Sequence, residues 1–166
     1  VYKRQVGLNS AVVVNDTAYW MSEGRFMIYR GSIQELPCSV KNYVFSDINT
    51  AQNTQVYAGE NNEFNEVIWF YCSSNSSQVD RYVIYNYQEQ VWYIGNLSRS
   101  AWVDQGVFSI PQATEYDASS TAATSDTLNG VSAGRSFIYE HETGESDNGN
   151  VTVSYTHLTL PTIYSV

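Results

Sequence analysis

Residues 66–95, EVIWFYCSSNSSQVDRYVIYNYQEQVWYIG, hold three aromatic and β-branched runs separated by polar turns at strand-length intervals, the pattern of a β-meander. In the first run Val67, Trp69 and Tyr71 fall on one side while Ile68, Phe70 and Cys72 fall on the other. A strand apolar on both sides belongs inside a stack of sheets, not on a half-wet one. Residues 11–36 divide into AVVV, AYWM, RFMIY and SIQEL, split at Asn15-Asp16, Glu23-Gly24 and Gly31-Ser32. Asn, Asp and Gly tolerate the positive φ of tight hairpin turns, so four antiparallel strands are expected here. After Pro37 the pattern is ambiguous: Asp47 to Gln52 reads as one turn or two of helix capped by Ser46 or Asp47. Residues 59–65 read as a polar loop, residues 99–103 as a strand added to the central meander, and residues 114–134, rich in Ser, Thr, Ala and Asp, as a long surface loop. A strand resumes at Arg135 and runs to about Glu142, with a polar turn after it.

An R-x-x-I-Y pattern recurs at Arg25, Arg81 and Arg135, 56 and 54 residues apart. Matching apolar strands, residues 18–21 and 67–70, precede the first two copies. A four-stranded antiparallel unit recurring at such an interval is the signature of a propeller blade, whose faces are buried only by neighbouring blades. The expected fold class is therefore all-β, with four-stranded meander sheets repeating at about 55 residues as an arc of two to three blades of a β-propeller. The blade-like units fall at residues 11–36, 55–103 and 106–150 within a partial propeller over 6–152. A β-sandwich or another stacked-sheet fold is the alternative. Closed propellers need about 4 to 8 blades, so three repeats make an arc.

Composition narrows the partners. The formal net charge of -9, with only eight Lys and Arg, argues against a nucleic-acid backbone as principal partner. No apolar run approaches the ~20 residues of a membrane span. Cys38 and Cys72 do not make a disulfide framework and read better as buried strand thiols than as a pair. Sequons at Asn15, Asn75, Asn96 and Asn150 matter only in a secretory pathway.

Candidate chemistry is sparse. Asp47, Glu66, Asp80, Asp104, Glu140 and Glu142 are candidates for paired acid and base roles of the glycosidase kind. In so acidic a chain each reads first as a solvated turn residue. His141 is a candidate metal ligand, but the other histidine, His157, lies in the tail, so a surface turn is the better reading. Residues 145–152, ESDNGNVT, faintly resemble the Asp-box turn of sialidase propellers, with Glu145 in place of the hydroxyl residue and no second copy. Tyr43, Tyr57, Tyr116 and Trp102 are candidates to stack on sugars or bases, although such rings more often pack in cores. No phosphate loop, nucleophile elbow or metal-spaced Cys cluster is present. The expectation is no catalytic, cofactor-binding or metal-ligating residue and no cofactor.

Two resemblances bear on origin. Residues 1–5, VYKRQ, and the tail 153–166, VSYTHLTLPTIYSV, resemble translated sequencing-adaptor read-through at the ends of environmental reading frames. On that reading both ends are non-native scars around an internal fragment. The bland alternative makes the tail one more strand. The phrases YVFSDIN at 43–49, VYAGEN at 56–61, EVIWFY at 66–71, YVIYNY at 82–87, RSAW at 99–102 and YEHETG at 139–144 look like proteins of environmental tailed phages. Those in turn resemble the packaged-DNA stabilisation, or tail nozzle, proteins of short-tailed phages. The resemblance implies a non-enzymatic virion structural protein, assembled in the host cytoplasm into a homo-oligomeric ring with other tail or portal proteins. It implies neither sequence-specific nucleic-acid binding nor a membrane, and it assigns no residue a role. A carbohydrate-binding or glycoside-hydrolysing propeller, with a glycan as partner, is the alternative.

Overall fold

The computed structural model describes residues 5–117 and 135–142. Residues 1–4 of the first expected scar, the whole of the second, the Asp-box-like residues 145–152 and residues 118–134 lie outside the described residues. The described chain is all-β, built of antiparallel sheets. Strands β1 (Ala11–Val14), β2 (Thr17–Ser22), β3 (Arg25–Tyr29) and β4 (Ile33–Leu36) form a first sheet in chain order. The two-residue turn between β1 and β2 holds Asn15 at φ 47° and Asp16 at φ 59°, the left-handed pair that a twisted hairpin requires. Gly24 and Gly31 supply positive φ at the next two turns.

The ambiguous segment after Pro37 folds differently from the expectation. Helix α1 (Lys41–Asp47) ends where a helix was expected to start, and it has no side-chain N-cap. A 3₁₀ turn over Thr50–Gln55 follows, capped by Asn49, whose side chain accepts from the Ala51 N–H at 3.1 Å. Burial of Val44, 0% exposed, against the first sheet holds α1 in place, as expected of a short helix whose stability comes from packing.

The second sheet is β5 (Tyr57–Asn61), β6 (Glu66–Tyr71), β7 (Arg81–Asn86) and β8 (Val91–Gly95), again in chain order. β5 occupies part of what reads in sequence as a polar loop. Every residue of β6 is buried, and its two faces go to two different cores. Val67, Trp69 and Tyr71 pack with Val83, Tyr85 and the first sheet's Val14, Tyr19, Met21, Phe26 and Leu36. Ile68, Phe70 and Cys72 pack with Ile84, Val79, Trp102 and Ala113 on the opposite side.

That opposite side is covered by a third sheet, ordered β11-β10-β9 from β9 (Ala101–Val103), β10 (Gln112–Asp117) and β11 (Arg135–Glu140). β9 therefore starts the third sheet instead of extending the second, and β10 occupies the start of the expected long loop. Trp102 lies directly on Gly59: a Cβ there would come within 2.7 Å of its ring, so the close approach requires glycine. The first strands of the three sheets run beside one another, β1 against β5 and β5 against β9. Asn9 bridges Tyr57 in parallel and its carbonyl accepts from the Ala58 N–H at 2.7 Å. Arg25, Arg81 and Arg135 each open the third strand of their sheet in chain order.

Cys38 and Cys72 are free thiols. Cys72 is buried just beyond β6, whereas Cys38 sits half-buried in the loop after β4, so neither lies in a strand. Burial pushes both thiols up to about 11, away from reactivity.

Candidate functional site

The six candidate carboxylates separate into three groups. Asp47 and Asp80 serve Arg81 and the turn before β7. Asp80 accepts from the Ser73 N–H and hydroxyl, both at 2.7 Å, and Asp47 accepts from Arg81 Nε at 3.3 Å. Arg81 also donates to Asn96 Oδ1 at 2.6 Å. Glu140 is exposed on β11. Glu66, Asp104 and Glu142 lie toward one end of the seam between the second and third sheets, Glu142 on Asn61 beside Glu66 and Asp104 on the neighbouring Asn62.

Sheet register builds that corner. Asn61 at the end of β5 is the cross-strand partner of Glu66 at the start of β6, so both side chains project toward the third sheet. Glu142, just past β11, receives the Asn61 Nδ2–H at Oε1, 3.4 Å away. Asp104 Oδ2, one residue past β9, accepts from the Asn62 N–H at 3.0 Å and from its Nδ2 at 2.8 Å. Trp102 Nε1 donates to the Glu60 carbonyl at 2.7 Å and closes the corner from beneath. Asn61 Oδ1 and Asp104 Oδ1 are buried without a hydrogen-bond partner.

The electrostatics are one-sided. Burial, then the charges of Glu142 and Glu89, push the Glu66 carboxyl up to about 7. Glu60 is raised by burial and by Asp104. Among the described residues no salt bridge reaches Glu66.

Sequence reasoning missed Arg99. Its side chain, 5% exposed, pairs with Glu115 at 3.1 Å and donates to the Ser98 carbonyl at 2.7 Å. Its guanidinium carbon stands 3.9 Å from the Tyr139 ring centroid. Its Nε donates to His141 Nε2 at 3.0 Å. His141 is therefore no surface turn: it is half-buried, its ring 4.7 Å from Trp102. With Nε2 accepting from a permanent cation it is neutral, and burial and Arg99 together hold it down at about 4. That bond also occupies the lone pair a metal would take. Among the described residues no three His, Cys, Asp or Glu side chains gather as a metal cluster.

These two groups titrate in opposite senses. Glu66 holds its proton in the folded chain up to about pH 7 but loses it near 4.5 when unfolded, so its contribution is full at low pH and is lost as pH rises toward 7. His141 takes a proton near 6.5 when unfolded but only near 4 when folded, so its contribution is lost as pH falls from 6.5 to 4. Each is worth roughly 3 kcal/mol over its whole range. Their slopes nearly cancel between about pH 4.5 and 6.5. In metal-free buffer, urea midpoints should change little across that interval for the parent chain, rise with pH in Glu66→Gln, and fall with pH in His141→Gln. A parental profile in Glu66→Gln would show that Glu66 does not titrate in this way.

The aromatic candidates divide too. Tyr43 and Tyr116 are exposed, at 49% and 43%. Tyr57 is half-buried with its hydroxyl donating to the Trp102 carbonyl at 3.3 Å, and Trp102 itself is buried against Phe70 and His141. A pocket beside Arg99, lined by Gln55, Gln78, Ser98 and Glu115, holds about 20 Å³. That is room for about one water and far below the several hundred Å³ of a ligand cleft. Among the described residues no helix is long and apolar enough to cross a membrane. No model of a known protein family matches the chain, and no curated protein matches it.

Proposed function

We propose that the chain is part of a non-enzymatic virion structural protein of a tailed phage, a tail or neck subunit that stabilises packaged DNA or forms the tail nozzle, and that its three sheets are successive blades of a β-propeller. The observation that carries the scaffold reading is the convergence of first strands. β1, β5 and β9 adjoin while each sheet continues outward in chain order, and the middle sheet is buried on both faces, the way blades array around an axis. The recurrence of Arg25, Arg81 and Arg135 at the head of each third strand supports the same repeat. The phage assignment rests on the ordered phrases between residues 43 and 144, and the acidic balance suits a conduit that must not hold its DNA.

A structural role also accords with how the candidate groups are used. Asp47 and Asp80 are spent on a turn and an arginine, and Trp102 on the seam. Locating the reading frame in its genome tests the assignment: portal and capsid genes are expected beside it, and a neighbourhood of polysaccharide-degrading genes would overturn it. On a glycan array the chain is expected to give no saturable binding. Saturable binding lost on Tyr43→Ala or Tyr116→Ala would favour a lectin instead.

A further inference from the structure

We propose that the outward face of the third sheet docks on the outward face of the first sheet in a second copy of this chain, so that two three-sheet arcs close on each other. This pairing rests on the reading of the sheets as repeating blades, and the isoleucine and tyrosine of the R-x-x-I-Y repeat point to it. Alternation along a strand sends the two residues to opposite faces. Ile28 packs on the core between the first and second sheets, and Ile84 lies in the core between the second and third. Each therefore faces the sheet that follows it in the chain. Tyr85 faces backward, into the core shared with the first sheet. Tyr139 stands in one cross-strand row with Ala113 and Trp102, which face the second sheet.

Two members of this set have no described sheet to meet. Ile138 faces forward from the third sheet and is 73% exposed, against 8% for Ile84. Tyr29 faces backward from the first sheet and is 46% exposed, against 7% for Tyr85. Neither stands alone: register places Val13, Ala18, Tyr29 and Ile33 in one row across all four strands of the first sheet, and the exposed Val103 shares the face of Ile138. Contiguous exposed apolar faces mark interaction sites. The seams within the chain show what fits them, because at each one a forward isoleucine face takes a backward tyrosine face. Continued between molecules, the same contact sets the Ile138 face of one copy on the Tyr29 face of the other. A two-fold axis makes that contact twice, and two copies of three sheets give six, within the about 4 to 8 of a closed propeller.

Sedimentation equilibrium of the whole chain is the test, and the parent is expected to be a dimer. Ile138→Asp and Tyr29→Asp should each weaken dimerisation by about tenfold or more while leaving the far-ultraviolet circular dichroism unchanged. An equimolar mixture of the two variants keeps one intact contact per pair, so it should form dimers that neither variant forms alone. A monomeric parent would overturn the pairing. So would dimers lost in Ile138→Asp but kept in Tyr29→Asp, which mark two Ile138 faces on each other, and so would an open-ended series of larger assemblies, which marks a contact that does not close. Ile84→Ala separates these failures from a failure of the blade reading. At the equivalent position inside the chain it should lower the melting temperature by about 5–15 °C, and a negligible effect there would count against the repeat itself, whatever the oligomeric state.

Discussion

Replacement of Trp69 by alanine is expected to lower the unfolding free energy by about 3–5 kcal/mol. Trp69 is 0% exposed at the centre of the core between the first two sheets. Its ring centroid lies 4.9 Å from Phe26 and 6.0 Å from Trp92. Phe26 comes from the first sheet and Trp92 from the edge strand of the second, so truncation removes the piece that both rest on. Its Nε1 donates to the Ser10 carbonyl at 3.1 Å, which also receives the Met21 N–H at 3.0 Å. Trp69→Phe keeps most of the ring and gives up that bond, and should cost about 1–2 kcal/mol. Urea unfolding followed by circular dichroism separates the two. A cost below about 1 kcal/mol for Trp69→Ala would mean that the two sheets do not pack as described.

Arg99→Met should cost about 3 kcal/mol, from loss of charge and not of bulk. Methionine preserves most of the aliphatic stem. What it removes is the charge that Glu115 pairs with, the donor to His141 and the cation over Tyr139. Breaking a buried pair leaves the partner uncompensated, and this exceeds the net worth of the pair. Two further outcomes follow from geometry. Arg99→Met with Glu115→Met should recover part of the loss, as a coupling of about 1–3 kcal/mol in a double-mutant cycle. His141, freed of the adjacent cation, should titrate higher, nearer its unfolded value, so the stability that His141 costs as pH falls below 6.5 should be smaller in Arg99→Met than in the parent and should level off at a higher pH. Additive single costs would show that Arg99 and Glu115 do not act together.

What was legible in the sequence follows from how local its cause is. The two faces of β6 and the Asn15-Asp16 turn were readable because side-chain alternation and positive φ are decided within a few residues. Helix α1 was not, because KNYVFSD carries no cap and no charge pattern, and it is held by the packing of Val44 and Phe45 on the core. β9 has three residues with the same apolar character as β8, and its allegiance to β10 is fixed by tertiary packing of Trp102 on Gly59. The acidic corner was half visible: Glu66 and Glu142 stood among six candidates, but no spacing foretells that residues so distant in sequence meet across a seam. Asn61 and Arg99 gave no signal, since a lone amide and a lone guanidinium in polar stretches read as surface.

The two-faced burial of β6 also bears on how its register is fixed. Where a strand has one wet side, a shift of one residue against its neighbours exposes its oily side and is rejected at once. For β6 the same shift trades Val67, Trp69 and Tyr71 for Ile68, Phe70 and Cys72, and both sets are greasy, so hydrophobicity hardly penalises it. Shape and two polar details must do the rejecting. The indole of residue 69 finds its acceptor only beside Ser10, and the slot over Gly59 admits the ring of Trp102 opposite Ile68 and no second bulky ring. Pairing out of phase there would forfeit the Trp69–Ser10 bond and crowd Trp102 over Gly59, so Ser10 and Gly59 mark the phase of the strand.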